Sequence, residues 1–432
     1  MSDPFCFFVG VDLGSASHQV CVLDVSGQTL GERAVAHRGA DLAAMFDWLV
    51  TLTQAAAPPS IAVAAEMPHG AVVEAFLERG YAVFSINPKQ LDRFRDRFSV
   101  AGAKDDRRDA LVQAHALRTD RYAFRPLVLG DPRLLRLREL ARAEEGLRED
   151  LRRAANQLWQ LLQRYFPALL ALAPAADEAW LWDLLESAPL PHKAARLRPA
   201  TLQRLLHQHR IRRFSAQQLA ELLAQPPLPL APGAAAAIAE QVLLLLPRLR
   251  LLHQQHAQLG QRIERLIDEL SGDETFREHR DVQILRSVPG VGRVFTATVL
   301  GEAVLPLAQR DYHVFRALAG VAPVTQQSGK TKLVSLRRAC HPRLRHAVYH
   351  SAAIYSQHDP RARQHYACLR ARGHSHARAV RGVADRFLAL IFALLNSAQL
   401  YDPSRRALPD PAPDMNLPGD SAPGSRSSYL PS

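Results

Sequence analysis

The sequence predicts a mixed α/β domain followed by a largely helical remainder, and three observations carry that expectation. Continuous apolar runs of strand length, separated by turns and short helix-like segments, extend to Asp120. Beyond them, apolar residues recur at heptad spacing in two long segments, and the last third reads as helical and strongly basic. A chain of 432 residues has room for two to three domains of roughly 100–200 residues each, and 47% apolar composition can supply their cores.

In the first region, residues 5–13 form a continuous apolar run, 20–24 follow after a short turn, and 28–36 complete a three-stranded meander. Residues 41–53 read as helix, 61–66 as a short apolar strand, 70–79 as helix, and 81–86 as a strand running into Asn87-Pro88. Residues 106–118 return to helix. Strands first consecutive, then separated by helices, point to a mixed sheet.

The middle changes period. Leu137, Leu140, Leu147, Leu151, Ala154, Leu158, Leu161 and Tyr165 keep a heptad register that Glu144 interrupts. Leu245, Leu249, Leu252, Leu259, Ile263, Leu266 and Leu270 keep another, with His256 as the exception. Two long helices should therefore pair, within one chain, between chains, or both. Between them Pro167, Pro174, Pro189, Pro191, Pro199, Pro226, Pro227, Pro229 and Pro232 forbid one continuous helix and suggest short ones. The expected domains are 1–125, a coiled-coil helical assembly region 126–278, a helical domain 279–401, and a disordered tail 402–432 rich in Pro, Ser and Gly.

Charge narrows the class of partner. Residues 281–400 hold 17 Lys+Arg against 5 Asp+Glu, an excess equal to the +12 of the whole chain. Such concentration is the electrostatic footprint of a nucleic-acid partner. No apolar run is long enough for a membrane span, and the N-terminus lacks the pattern of a secretory signal. Cys6, Cys21, Cys340 and Cys368 fall in no metal-binding spacing, so reduced thiols in a cytoplasm are expected.

Four acids are the candidates for chemistry. Asp12 ends the first apolar strand in VGVDLGSAS, and Glu66 ends the later strand IAVAAE. In AKDDRRDA, Asp106 and Asp109 stand three apart, on one face of a helix, whereas Asp105 should face elsewhere. Singly, Asp12 reads equally well as a turn or helix cap and Glu66 as a solvated strand end, while for Asp106 a helix cap, and for Asp109 a surface pair with Arg107 or Arg108, is the plainer reading. Together they suit Mg²⁺ or Mn²⁺, which prefer carboxylate oxygens and can stabilise phosphoryl transfer.

In the basic region, SVPGVG places Pro289-Gly290-Val291-Gly292 between two helices, a turn whose amides can meet a phosphate or simply join the helices. Farther on, Ser328-Gly329 sits on a polar loop with Lys330, Lys332, Arg337 and Arg338 close behind, cations suited to holding DNA phosphates. Ser328 is a candidate nucleophile, though a serine needs a base or metal to act, and an ordinary turn serine is the plainer reading.

The stretches VGVDLGSASHQV, AAEMPHG, SINPKQLDRFR and AKDDRRDA, then SVPGVG and FRALAGVAPVTQQSGKTKLVSLRRACHPRLRHAVYHSA, resemble the DEDD transposases of the insertion-sequence 110 family, relatives of the pilin-gene invertases. The likeness covers residues 5–120 and 280–395. It implies a RuvC-like, RNase H-type N-terminal domain whose acids are Asp12, Glu66, Asp106 and Asp109, and a C-terminal transposase domain whose serine is Ser328. It further implies a 5′-phosphoserine link to DNA, donor and target DNA as substrates, a bridge RNA as guide, and a homo-oligomer, a dimer or a tetramer on DNA. Three other readings compete. A RuvC-type junction nuclease would use the same acids with metal-activated water and leave Ser328 dispensable. An actin-like ATPase or sugar kinase would share VGVDLGSAS but needs later phosphate and adenosine loops that the sequence lacks in convincing form. A purely structural DNA- or RNA-binding protein would leave the four acids without a purpose.

Overall fold

The structure, a computed structural model, describes residues 4–97, 105–128, 131–276, 278–329 and 331–404. The side chain of Lys332 also lies outside the described set, as does the expected tail from residue 405 onward. The chain forms two compact units, Met1–Asp131 and Pro132–Ser432.

In the first unit β1 (Phe7–Leu13), β2 (Ser17–Asp24) and β3 (Thr29–Ala36) make the expected antiparallel meander. After α1 (Gly39–Leu52), β4 (Ile61–Ala65) lies parallel to β1; after α2 (Ala71–Glu78), β5 (Ala82–Ser85) lies parallel to β4. Then come α3 (Pro88–Asp96), α4 (Asp106–Asp120) and a short β6 (Arg125–Pro126), giving the order β3-β2-β1-β4-β5-β6. No apolar period marks α3 in the sequence. Its start is nonetheless written in Asn87-Pro88: the Asn87 side chain accepts from the Lys89 N–H at 2.9 Å, and Pro88 opens the helix.

Strands β1 and β4 are apolar at both parities because the sheet is covered on both faces. Val9, Val11 and Val63 pack with Met45, Phe46 and Phe76 on one side. Phe8, Ala62 and Ala64 pack with Ala110, Ala114 and Leu117 of α4 on the other. The small residues on this second face let α4 lie against the strand. A Cβ on Gly10 would stand 1.9 Å from the Ala110 carbonyl oxygen and 2.7 Å from the Ala114 nitrogen.

In the second unit the heptad segments are single helices, α5 (Pro132–Tyr165) and a return helix, Ala234–Gly272, which continues through Pro247. Leu134 and Leu137 share a core with Ile263, Leu266 and Leu270, while Leu158 and Leu161 share one with Val242, Leu245 and Leu249. The start of one helix thus meets the end of the other, so they pair antiparallel within the chain. The two heptad exceptions are partners: buried Glu144 forms an ion pair with Arg293 and stands 3.7 Å from Nε2 of His256. The proline-rich stretch forms short helices, Ala179–Ser187, Pro191–Ala194, Pro199–Gln208 and Ala216–Leu223, around buried Trp180 and Trp182.

The basic part packs helices His279–Ser287, Arg293–Glu302, Tyr312–Leu318, Pro342–His358, Pro360–Ala371 and His376–Ser397 around Phe295, Phe315, Phe387 and Phe392. It is not wholly helical: β7 (Val324–Ser328) and β8 (Thr331–Ser335) form an antiparallel hairpin. The glycine turn after Val288 has a packing reason. Gly290 has φ +85°, and a Cβ there would stand 2.6 Å from the Ser351 carbonyl oxygen and 2.8 Å from the Tyr355 nitrogen. Among the described residues no helix is long and apolar enough to cross a membrane.

Glu302 fastens the basic part to α5. It accepts from Arg142 Nε at 2.8 Å and Nη2 at 2.9 Å, with His341 Nε2 at 3.4 Å. Burial would raise its pKa, but the His341 and Arg142 contacts outweigh burial and hold it at about 2. A depressed carboxylate contributes stability above its unfolded pKa, and that contribution is lost as pH falls through the folded value. Acid titration should therefore destabilise the second unit between about pH 4.5 and pH 2. Glu302→Gln should reduce that pH dependence and lower neutral stability by about 3 kcal/mol, the low end for a broken buried pair, because Arg142 keeps 20% of its side chain exposed. Thermal melts of both proteins across this range test it; identical pH profiles would refute the assignment.

Candidate active site and nucleic-acid interface

Parallel register brings two of the predicted acids together. Val11 of β1 pairs with Ala65 of β4, so Asp12 and Glu66 are the next residues at matched, C-terminal positions of neighbouring strands. By strand alternation Asp12 shares a side with Phe8 and Gly10, and Glu66 shares a side with Ala62 and Ala64, the face that α4 covers. Both are half-buried. The open end of parallel strands is where α/β sheets present their ligands.

Helix α4 is anchored beside them. Fully buried Gln113, with its amide nitrogen turned toward the sheet, donates to the Val11 carbonyl at 2.9 Å and the Ala64 carbonyl at 3.1 Å. The first turn of α4 carries Asp106 and Asp109. The doubled aspartate has a local explanation: Asp105 is the N-cap, its side chain accepting from the Arg107 N–H at 3.4 Å. Asp106 is thereby left exposed, with no hydrogen bond to a described residue.

Asp109 is different. Only 2% exposed, it is held bidentately by Arg95 of α3, Nε to Oδ1 at 2.7 Å and Nη2 to Oδ2 at 3.0 Å. Arg95 also donates to Asp92 at 2.6 Å. Sequence reasoning proposed Arg107 or Arg108 as surface partners for Asp109. Arg107 instead pairs with Glu32 of β3, and the true partner was missed because α3 itself was missed.

Asp12 and Glu66 follow neighbouring parallel strands, and Asp106 and Asp109 lie in the first turn of the helix packed on that face, but the four are not equivalent. Among the described residues no three His, Cys, Asp or Glu side chains stand together as a ready-made cation site. The donor chemistry suits a hard divalent cation, since Asp12, Glu66 and Asp106 offer only carboxylate oxygens. Asp109 can join only by exchanging Arg95 for the ion.

Ser328 is carried by the second unit. It ends β7, is exposed, and pairs with Thr331 across the hairpin turn, so it sits on a strand end and not on the expected loop. The hairpin is solvent-facing, with Leu333 and Val334 exposed. Lys330 and the side chain of Lys332 lie outside the described residues. Arg337 is partly committed, its Nε donating to the Ala322 carbonyl at 3.2 Å, whereas Arg338 is exposed. Arg345 ties the base of the hairpin by donating to the carbonyls of Arg337 at 2.7 Å and Arg338 at 3.2 Å.

Two family models match the chain. A DEDD-type transposase model covers residues 9–167, which include all four acids, and a model described as "Transposase IS116/IS110/IS902 family" covers 282–367, which include Ser328. A Streptomyces coelicolor protein named "Mini-circle putative transposase for IS117" is 32% identical over 94% of this chain and 98% of its own length. The chain belongs to the IS116/IS110/IS902 transposase family. A second relative, "Putative transposase y4uE" of Sinorhizobium fredii, is 49% identical, over 52% of this chain and 62% of that protein. An uncharacterized 42 kDa protein of insertion element IS900 from Mycobacterium paratuberculosis is 27% identical over 92% of this chain and 97% of its own length. Within this transposase family, the four acids and the basic hairpin fall in separately matched segments.

Proposed function

We propose that the chain is an insertion-sequence transposase that cuts DNA strands at the acid cluster of an RNase H-type first unit. The observation that carries this reading is the matched placement of Asp12 and Glu66 at the ends of neighbouring parallel strands, beside the first turn of α4. Asp12, Glu66 and Asp106, with Asp109 once it leaves Arg95, would hold Mg²⁺ or Mn²⁺. Such a cation supplies charge stabilisation to a phosphodiester under attack. The residues themselves concentrate negative charge at one sheet end, while Gln113 and the Gly10 contact fix α4 so that its first turn stays there. The basic second unit holds DNA by its phosphates.

The simplest nucleophile is water, as in a RuvC-type nuclease, because that chemistry needs only groups of the first unit. Water would attack phosphorus, the bond to the leaving oxygen would break, and that oxygen would depart as a hydroxyl. A second reading is favoured by the exposure of Ser328 on a projecting hairpin of the basic unit. There the Ser328 oxygen attacks phosphorus, its proton passing to solvent, a 3′-hydroxyl leaves, and a 5′-phosphoserine link conserves the bond for rejoining. End-labelled DNA carrying the element's termini distinguishes the two. Label released with cut DNA after denaturation supports water. Label retained on protein, and lost from Ser328→Ala, supports serine. The family resemblance extends the proposal to a guide RNA and an oligomer, which sequencing of co-purifying RNA and a mass measurement address.

A further inference from the structure

At the base of the hairpin lies a recess that the acid chemistry does not use. Its floor is apolar: the turn Ala319–Val321, Leu336 after β8, and Ala384 of the His376–Ser397 helix. Its rim carries Arg345, His346 and Tyr349 of the Pro342–His358 helix and Arg381 of the His376–Ser397 helix. The recess opens to solvent, and its empty space, that solvent included, is about 460 Å³.

The charges on this rim are unequal. Arg345 is engaged with the Arg337 and Arg338 carbonyls. Arg381 is half-buried and makes no hydrogen bond or ion pair with any described residue. The nearest acid along its helix is already taken, since Asp385 accepts from Arg316 Nη2 at 2.8 Å and from the Tyr312 hydroxyl at 3.0 Å. A half-buried guanidinium without a counter-anion attracts an incoming one. Tyr349 lines the recess with it, half-buried and packed against the core, and a guanidinium can stack as well as pair. An apolar floor, a tyrosine at its edge and two guanidinium groups without an acid partner among the described residues match a nucleobase attached to a phosphate better than a phosphate alone.

We propose that this recess receives a single nucleobase unstacked from DNA, with Arg381 on the adjoining phosphate and Tyr349 against the base. The inference rests on the DNA-transposase reading and deepens it: the second unit would bind unpaired DNA in preference to intact duplex, whose base faces are stacked away.

The test uses the full chain and three labelled probes in fluorescence anisotropy: a DNA single strand, the duplex formed from it, and RNA of the same sequence. Tyr349→Ala and Arg381→Gln should each weaken single-strand binding roughly fivefold to a hundredfold, the effect of losing one base contact, and duplex binding by less than about threefold. Tyr349→Phe should bind as the wild type does, because it keeps the ring. Arg381→Gln breaks no hydrogen bond or ion pair with a described residue, so its result stands even if Tyr349→Ala folds poorly. Equal losses on single strand and duplex, or no loss on either, would overturn the recess. Loss confined to RNA would overturn DNA as its occupant. Failure of the wild-type chain to bind any DNA would overturn the transposase reading itself.

Discussion

Asp12→Asn should abolish DNA strand cleavage while leaving the protein folded and bound to DNA. Asparagine keeps the shape and one oxygen but removes the charge at the end of β1, where the register places Glu66 alongside. Charge stabilisation by a bound cation contributes several kcal/mol to a phosphoryl transition state, and each 1.36 kcal/mol is tenfold in rate, so the loss should be about a hundredfold or more. Glu66→Gln should behave alike. Asp109→Asn should differ: it removes the anion from a pair that is 2% exposed on the acid side, leaving Arg95 without its bidentate partner. Stability should fall together with activity, and a melting curve separates the two effects. Cleavage by Asp12→Asn at the wild-type rate would remove that residue from the site.

Gly10→Val should unfold the first unit. Even a single Cβ meets backbone at 1.9 Å and 2.7 Å, and neither the Ala110 carbonyl nor the Ala114 amide can swing aside as a side-chain tip could. Overpacking of an ordinary core site costs about 1–3 kcal/mol, and a backbone collision with no flexible partner belongs at or beyond the top of that range. Because α4 carries Asp106 and Asp109, any variant that survives by pushing the helix outward should lose cleavage out of proportion to its loss of stability. Circular dichroism and thermal melting read the first effect. A Gly10→Val protein with wild-type stability would contradict the close approach of α4 to β1.

Much of this was legible in the residues. The meander and the parallel strands declare themselves through period and turns, and the heptads announced the long pair while leaving its partner open. The antiparallel answer depends on which core Leu134 and Leu158 join, a long-range fact that no local spacing contains. Glu144 and His256 looked like separate faults in two stripes and are one polar contact across them. Helix α3 was hidden because PKQLDRFRD is mostly polar and buries only Leu91. With it went Arg95, the residue that sets Asp109 apart from the other acids. The hairpin was missed for a related reason: its strands are exposed nearly throughout and show no alternation to read.

In the proposed function, cleavage requires the strand-end acids to hold a divalent cation. Electron paramagnetic resonance of Mn²⁺ titrated into the wild-type chain and into Asp12→Asn, each bound to DNA, measures that directly. The expected result is tightly held Mn²⁺ in the wild type and its loss from Asp12→Asn at unchanged DNA binding. Equal Mn²⁺ retention by both proteins would contradict it.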